Sequence, residues 1–98
     1  MKTELLTKTP KLCKSIVFKD KSVDNKGKYV VFDYSTALGF LTNKQGIWII
    51  SKCDGENKIY SIIEQSYSEY PNTNRKKQEK DIVNFLKNLE KNKIIEIK

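Results

Sequence analysis

Histidine is absent from the 98-residue sequence, and several kinds of chemistry are absent with it. No histidine base can activate a serine or cysteine nucleophile, and no zinc site with imidazole ligands can form. The two cysteines, Cys13 and Cys53, are far apart in the sequence and make no CxxC spacing, so free thiols are expected rather than a disulfide or a metal pair. We therefore expect a protein without metal, cofactor or enzymatic activity of its own.

Long apolar runs are also lacking. No stretch approaches the ~20 apolar residues that span a bilayer, and the opening MKTELLTKTPK has no apolar core of a signal peptide. We therefore expect a cytoplasmic protein without a membrane partner. The hydrophobic content of 38% is too high for a wholly disordered chain. With no linker or repeat in the sequence, residues 1–98 are predicted to form a single domain.

Arginine is scarce, but lysine is abundant. Basic residues number 19 against 12 acidic ones, which gives a net charge of +7, and Arg75 is the one arginine. Residues 1–53 hold ten lysines against four acidic residues, so most of the excess lies in the first half of the chain. Such a surface attracts an anionic partner, although a lysine-rich surface also keeps a protein soluble. Lysine, isoleucine and asparagine all have A/T-rich codons, so part of the net charge reflects codon composition.

The first half of the chain is predicted to form strands. CKSIVFK at 13–19 and YVVF at 29–32 are rich in β-branched and aromatic residues, and DNKGK at 24–28 supplies a turn between them. A third strand is predicted at 37–42. Because the connections are short, the strands are expected to form an antiparallel meander.

The second half is predicted to form helices. Apolar residues recur at helical spacing over 44–53, 58–70 and 75–92, with Asp54-Gly55 and Pro71 as stop signals. The apolar tail at 94–97 is expected to be a short strand or an apolar strap. The predicted fold class is α+β, winged-helix-like, with a three-stranded antiparallel sheet followed by three helices.

The segment LTNKQGIWIISKCDG at 41–55 resembles the entry into and the course of the first helix of PqqD-like proteins, the peptide-recognition elements of peptide-modifying pathways. Further matches follow in the second and third helices, and the resemblance extends over about residues 10–97. The matching positions are Leu41, Asn43, Gly46, Ile49-Ile50, Cys53-Asp54-Gly55, Ile59, Ile62, Tyr70, Asp81-Ile82, Phe85-Leu86 and Leu89.

Two helix ends depart from the family pattern. Lys58 stands where the family usually has a threonine that opens the second helix, so Asn57 is expected to cap it instead. Lys93 stands where a glycine is expected after the third helix, so Asn92 is expected to take any left-handed turn.

The resemblance implies binding without catalysis. Members of the family capture the leader segment of a ribosomally made precursor peptide and present it to a modifying enzyme, such as a radical S-adenosylmethionine maturase or a lasso-peptide protease. The physical basis is strand addition, in which an extended peptide pairs with an open sheet edge. The resemblance implies that the third strand offers this edge and that the third helix forms the opposite wall of a peptide-binding groove. The edge residues are Leu38, Gly39, Phe40, Leu41 and Thr42.

One flank of the third helix is the predicted groove wall. At about 100° per residue, Val83 lies beside the core stripe with lysines around it, which suits a leader with an apolar anchor and acidic neighbours. The predicted wall is Lys76, Lys80, Val83 and Lys87. The opposite flank, with Gln78, Asp81 and Asn88, stays open as an alternative.

Trp48 points away from the apolar face of the first helix, so it is either covered by the N-terminal segment or exposed as an anchor for the partner enzyme.

Two other functions compete with peptide binding. A winged-helix DNA-binding protein explains the net charge, but the third helix also carries Glu79, Asp81 and Glu90, and base-reading helices usually concentrate arginine, asparagine or glutamine. We therefore expect no nucleic-acid partner. A purely structural subunit is the other alternative.

Overall fold

The computed structural model describes residues 3–19 and 27–98. Most of the turn predicted at 24–28 lies outside these residues. In chain order the elements are α1 (Thr3–Leu6), β1 (Pro10–Leu12), β2 (Ile16–Phe18), β3 (Tyr29–Asp33), β4 (Leu38–Thr42), α2 (Lys44–Ser51), α3 (Ile59–Glu69), α4 (Arg75–Lys91) and β5 (Ile95–Ile97).

The predicted meander is confirmed. Strands β2, β3 and β4 form a three-stranded antiparallel sheet in that order, with Val17 opposite Phe32 and Val31 opposite Phe40. Because side chains alternate between the two faces of a strand, Ile16 and Val31 point toward the helices and are buried. Val17 lies on the other face and is 40% exposed. The sheet therefore has one face on the core and one face in solvent.

The C-terminal tail is a strand, and its partner was not predicted. β5 pairs antiparallel with β1, with Leu12 opposite Ile95. On its other side, β1 is bonded to the segment that follows α2, because the Leu12 N–H donates to the Cys53 carbonyl and the Gly55 N–H to the Pro10 carbonyl, each at 3.0 Å. A three-residue strand beginning with proline gives almost no local signal, so only the tertiary structure reveals this pair.

Helices α2, α3 and α4 match the three predicted helices and enclose the core with the inner face of the sheet. Their buried side chains recur every three or four residues, as expected of amphipathic helices. The core comprises Ile16, Val31, Ile47, Ile49, Ile50, Cys53, Ile59, Ile62, Ile63, Ile82, Leu86, Leu89, Ile94 and Ile95. None of the helices in the described part of the chain is long and apolar enough to cross a membrane.

The cap predicted for α3 is wrong. Lys58 is the N-cap residue, and no side chain caps the helix there. The Asn57 amide instead donates to the Lys52 carbonyl at 3.3 Å and to the Asp54 carboxylate at 3.1 Å. Asn57 therefore closes the loop between the two helices, because its side chain already has these partners.

The left-handed residue predicted after α4 is also wrong. Asn92 has a φ of −90° and Lys93 has a φ of 63°, so the lysine itself takes the position that favours glycine. The Ile94 N–H donates to the Leu89 carbonyl at 2.8 Å and the Lys93 N–H to the Glu90 carbonyl at 3.0 Å. These two bonds form a Schellman motif, and burial of Ile94 holds it closed.

Candidate functional site

Strand β4 is one edge of the three-stranded sheet. It spans five residues and pairs only with β3 among the strands that the structure describes. The opposite edge, β2, has three residues, and the Ile16 N–H there already donates to the Cys13 carbonyl at 3.0 Å. β4 is therefore the longer and more accessible edge for a further strand.

The hydrogen-bond phase of the sheet identifies the outward-facing groups of β4. The Tyr34 N–H donates to the Ser15 carbonyl at 2.9 Å, so even-numbered residues of β3 bond toward β2. Odd-numbered residues of β3 then bond toward β4, where Val31 is opposite Phe40. The N–H and C=O groups of Gly39 and Leu41 consequently point to the open edge.

A groove of about 500 Å³ runs between β4 and α4. Its floor and walls are mainly apolar, with hydroxyl, amide and carboxylate groups among them. The lining residues are Asp33, Thr36, Leu38, Gly39, Phe40, Phe85, Asn88, Leu89, Asn92 and Ile94. An open strand edge and an apolar groove thus lie side by side.

Gly39 keeps this edge close to the neighbouring strand. A Cβ at position 39 would lie 3.0 Å from the Val31 carbonyl oxygen and 3.3 Å from the ring of Phe32. Any larger residue would therefore press on β3 and shift β4. Of the predicted edge residues, Leu38, Gly39 and Phe40 line the groove, whereas Leu41 projects from the outer face with 59% of its surface exposed.

Thr42, the last predicted edge residue, lies where β4 meets the helices. A Cβ on Gly46 would collide with the Thr42 hydroxyl and lie 3.3 Å from the Phe85 ring. Glycine at 46 therefore lets α2 approach both the end of β4 and the groove-lining ring of α4. Asn43 begins α2 here, and its side chain accepts a hydrogen bond from the Gly46 N–H at 2.8 Å.

The structure brings the other flank of α4 to the groove. Phe85, Asn88 and Asn92 line it, at the spacing i, i+3 and i+7 that puts side chains on one side of a helix. The wall predicted from the sequence lies about 140° further round the helix and is not part of the lining. That wall is Lys76, Lys80, Val83 and Lys87, of which the three lysines are exposed and Val83 is partly buried.

Phe85 lies between the core and the groove. The sequence pattern assigns Phe85 to the core stripe, but the ring lies at the margin, packed on the core and lining the groove at once. The ring also lies close to Gly46, where a Cβ would be 3.3 Å from it. A contribution of the lysine flank to binding stays a prediction.

Asp33 is the acidic group at the groove. Its Oδ1 accepts hydrogen bonds from the Ser35 N–H at 2.9 Å and from the Ser35 hydroxyl at 2.7 Å. The hydroxyls of Ser35 and Ser15 hold the pKa of this carboxyl below its usual range. The groove therefore carries a negative charge near its β3–β4 turn at neutral pH.

Trp48 is partly buried and packs against the core. Its ring meets the ring of Tyr70 edge-on at 6.0 Å, and the Lys52 Nζ lies 5.4 Å from the ring centre. The indole is thus neither fully covered nor fully exposed, and a role in partner docking stays a prediction.

Both thiols have pKa values above the ordinary range. Cys13 and Cys53 are both free, as predicted. Burial and the neighbouring Asp54 carboxylate raise the pKa of the Cys53 thiol to about 12. Burial, and to a smaller extent the carboxylates of Glu96 and Asp33, raises the pKa of the Cys13 thiol. Within residues 3–19 and 27–98, no three potential metal ligands come together.

Comparison with known proteins identifies the fold. No protein-family model and no curated protein matches the chain. The chain is similar to a solved structure, TbiB1 in complex with the TbiA(beta) leader peptide, with a TM-score of 0.70 and 21% sequence identity over 88% of this chain and 94% of the other. The fold expected from the resemblance to PqqD-like proteins, a three-stranded antiparallel sheet followed by three helices, is confirmed.

Proposed function

We propose that this chain is a non-catalytic recognition protein that captures the leader segment of a ribosomally made precursor peptide. The peptide adds as a strand to β4 and lays its side chains into the groove between β4 and α4, and the complex is presented to a modifying enzyme in the cytosol. The observation that carries the proposal is the open edge of β4 beside an apolar groove. The shared fold with TbiB1, solved with a leader peptide, supports it.

The energetics require both parts of the site. The outward N–H and C=O groups of Gly39 and Leu41 offer four hydrogen bonds, each worth about 0.5–1.5 kcal/mol net. Together they supply about 2–6 kcal/mol, whereas micromolar binding needs ~8 kcal/mol. The apolar lining from Phe40, Phe85 and Leu89 would supply the remainder by burying one or two large side chains at about 1.5–3 kcal/mol each.

The decisive experiment compares two substitutions at one position. Leu41→Pro removes the outward N–H and obstructs the edge, whereas Leu41→Ala removes the same side chain but keeps the N–H. Binding is measured by fluorescence anisotropy with labelled leader segments of short precursor peptides, sought among the genes that flank the gene of this chain. We expect about a tenfold or greater loss for the proline variant and a much smaller loss for the alanine variant.

A random DNA duplex is titrated in parallel over a series of salt concentrations. Leader binding that resists salt, with weak duplex binding, is the expected result. Duplex binding with a steep salt dependence and no leader binding would instead identify a nucleic-acid-binding protein.

The groove flank of α4 is tested by placing one bulky residue on two faces of the helix. Asn88→Trp fills the groove and is expected to block the leader, whereas Asn84→Trp lies on the solvent face and is expected to leave binding unchanged. Replacing Lys80 and Lys87 with serine tests the lysine flank. If that flank only steers an anionic peptide, the loss of affinity disappears at high salt.

The partner enzyme is proposed to be a radical S-adenosylmethionine maturase or a lasso-peptide protease, and Trp48 is proposed to contact it. Trp48→Ala is expected to weaken docking to the enzyme and to spare leader binding. Tyr60→Ala, which truncates a half-exposed aromatic residue on α3, is the control. Equal affinity of the Trp48 variant and the original chain for the enzyme would contradict this role.

A further inference from the structure

The groove between β4 and α4 is uncharged except at one end. Among the described residues that line it, Asp33 alone has an ionisable side chain; Thr36, Asn88 and Asn92 supply neutral polar groups, and the rest are apolar. Asp33 lies opposite Leu38 in the sheet, next to the β3–β4 turn. Phe40 and Phe85 line the more apolar part of the groove.

The carboxylate is fixed in place and keeps its negative charge. One oxygen, Oδ1, accepts from the Ser35 N–H and hydroxyl, and the Ser15 and Thr36 hydroxyls also donate to the carboxylate. All of these donors are neutral, so they orient the carboxylate without cancelling its charge, and a cation is still attracted to it. The hydrogen bonds that lower the pKa of Asp33 also keep it charged at neutral pH. A donor arriving in the groove therefore meets a preoriented anion.

We infer that Asp33 selects a peptide with a lysine or arginine at the inward position beside the β3–β4 turn, two residues from an apolar residue that lies between Phe40 and Phe85. This inference rests on the proposed function, because it needs the peptide to add as a strand to β4. It specifies the side chains of that peptide: an apolar anchor and a cation, separated by one residue.

The spacing follows from strand geometry. On an added strand, every second side chain faces the groove, and successive inward positions lie about 6.6–6.8 Å apart. Leu38 and Phe40 have that same separation on β4, so one inward side chain lies at the Phe40 level and the next at the Leu38 level. Asp33 is one strand further in, which places its backbone two strand spacings, ~9.6 Å, from the peptide. A long cationic side chain crosses that distance, whereas a short one does not.

This selectivity is opposite to the one that the sequence pattern suggests. The acidic leader expected from Lys76, Lys80 and Lys87 assumes that these lysines line the groove, and the structure places them on the other flank of α4. The net charge of +7 still favours an anionic peptide at long range. Inside the groove, the nearest fixed charge is negative.

The experiment uses the full chain and a phage-displayed library of random peptides about twelve residues long. The most enriched peptide is then synthesised with lysine, glutamine or glutamate at the position that the library prefers to be basic. Dissociation constants are measured for the original chain and for Asp33→Asn, since asparagine keeps an oxygen that accepts from Ser35 but removes the charge. Glu64→Gln, which makes the same charge change on α3, is the matched control.

We expect the library to enrich lysine or arginine two residues from an apolar residue. The lysine peptide should bind the original chain about fivefold more tightly than the glutamine peptide, with the glutamate peptide weakest. Asp33→Asn should abolish this preference, and Glu64→Gln should retain it. A preference that survives Asp33→Asn, or enrichment of acidic or purely apolar peptides, overturns the inference while leaving strand addition intact. A library in which no peptide depends on the Leu41 N–H, tested with Leu41→Pro, counts against the proposed function itself.

Discussion

Replacing Gly46 with alanine separates the effect of local helix propensity from that of tertiary packing. Glycine in a helix is up to about 1 kcal/mol less favourable than alanine, so the sequence alone predicts that Gly46→Ala stabilises the protein. The structure predicts the opposite, because the new Cβ would collide with the Thr42 hydroxyl and lie 3.3 Å from the Phe85 ring. Overpacking of this kind costs about 1–3 kcal/mol. With the collision at the upper end of that range, we expect a net loss of about 2 kcal/mol.

The prediction is measured by urea denaturation and by thermal unfolding. A loss of 2 kcal/mol corresponds to a decrease in Tm of roughly 10 °C for a domain of this size. Because Phe85 also lines the groove, amide chemical shifts of β4 and α4 are expected to change with it. Leader affinity should therefore fall together with stability.

A second substitution tests the physical cause. Thr42→Ala removes the hydroxyl that the new Cβ meets and leaves the Thr42 Cβ at 3.2 Å, a distance that a small shift can relieve. In that background, Gly46→Ala is expected to be neutral or slightly stabilising, which gives a coupling free energy of about 2 kcal/mol between the two sites. If Gly46→Ala alone raises the free energy of unfolding, or if the two substitutions are additive, the packing argument is refuted.

Three further predictions concern stability. Lys93→Gly should raise the free energy of unfolding by about 1 kcal/mol, because it relieves a left-handed φ of 63°. Asn92→Gly is the control and should not raise it, because Asn92 has a φ of −90°. An equal gain at both positions would contradict the argument from φ. Lys58→Thr should raise the free energy of unfolding by about 1 kcal/mol, because the threonine hydroxyl can cap α3. Lys58→Ala is the control and should give no such gain. The Cys53 thiol has a folded-state pKa of about 12 against an ordinary 9.0, so its contribution to stability is complete below pH 9 and is lost as the pH rises toward 12. Between about pH 8 and about pH 10.5 the original chain should lose about 2 kcal/mol more than Cys53→Ala in urea denaturation, and parallel losses would contradict the assignment.

Much of the fold was predictable because its signals are local. Runs of β-branched and aromatic residues predict the meander, and the recurrence of isoleucine and leucine predicts three helices, all of which the structure has. Cap and turn positions were less predictable, because several residues compete for them. Asn57 has the chemistry of a cap but is engaged with Lys52 and Asp54. Lys93 accepts an unfavourable φ because two backbone hydrogen bonds and the burial of Ile94 outweigh its cost.

The candidate site, too, has features that the sequence predicts and features that only the tertiary structure shows. Helical periodicity determines that Ile82, Leu86 and Leu89 face the core, but it leaves two flanks of α4 equivalent, one with lysines and one with asparagines. Only tertiary packing distinguishes them, since the placement of α4 on the core brings the asparagine flank to the groove beside β4. The sequence by itself therefore determined a histidine-free chain with a strand meander and three amphipathic helices, because composition and local pattern suffice for that. The tertiary structure decided which side chains share the groove with that strand, and with them the sign of its charge, because Asp33 reaches the groove only through the pairing of β3 with β4.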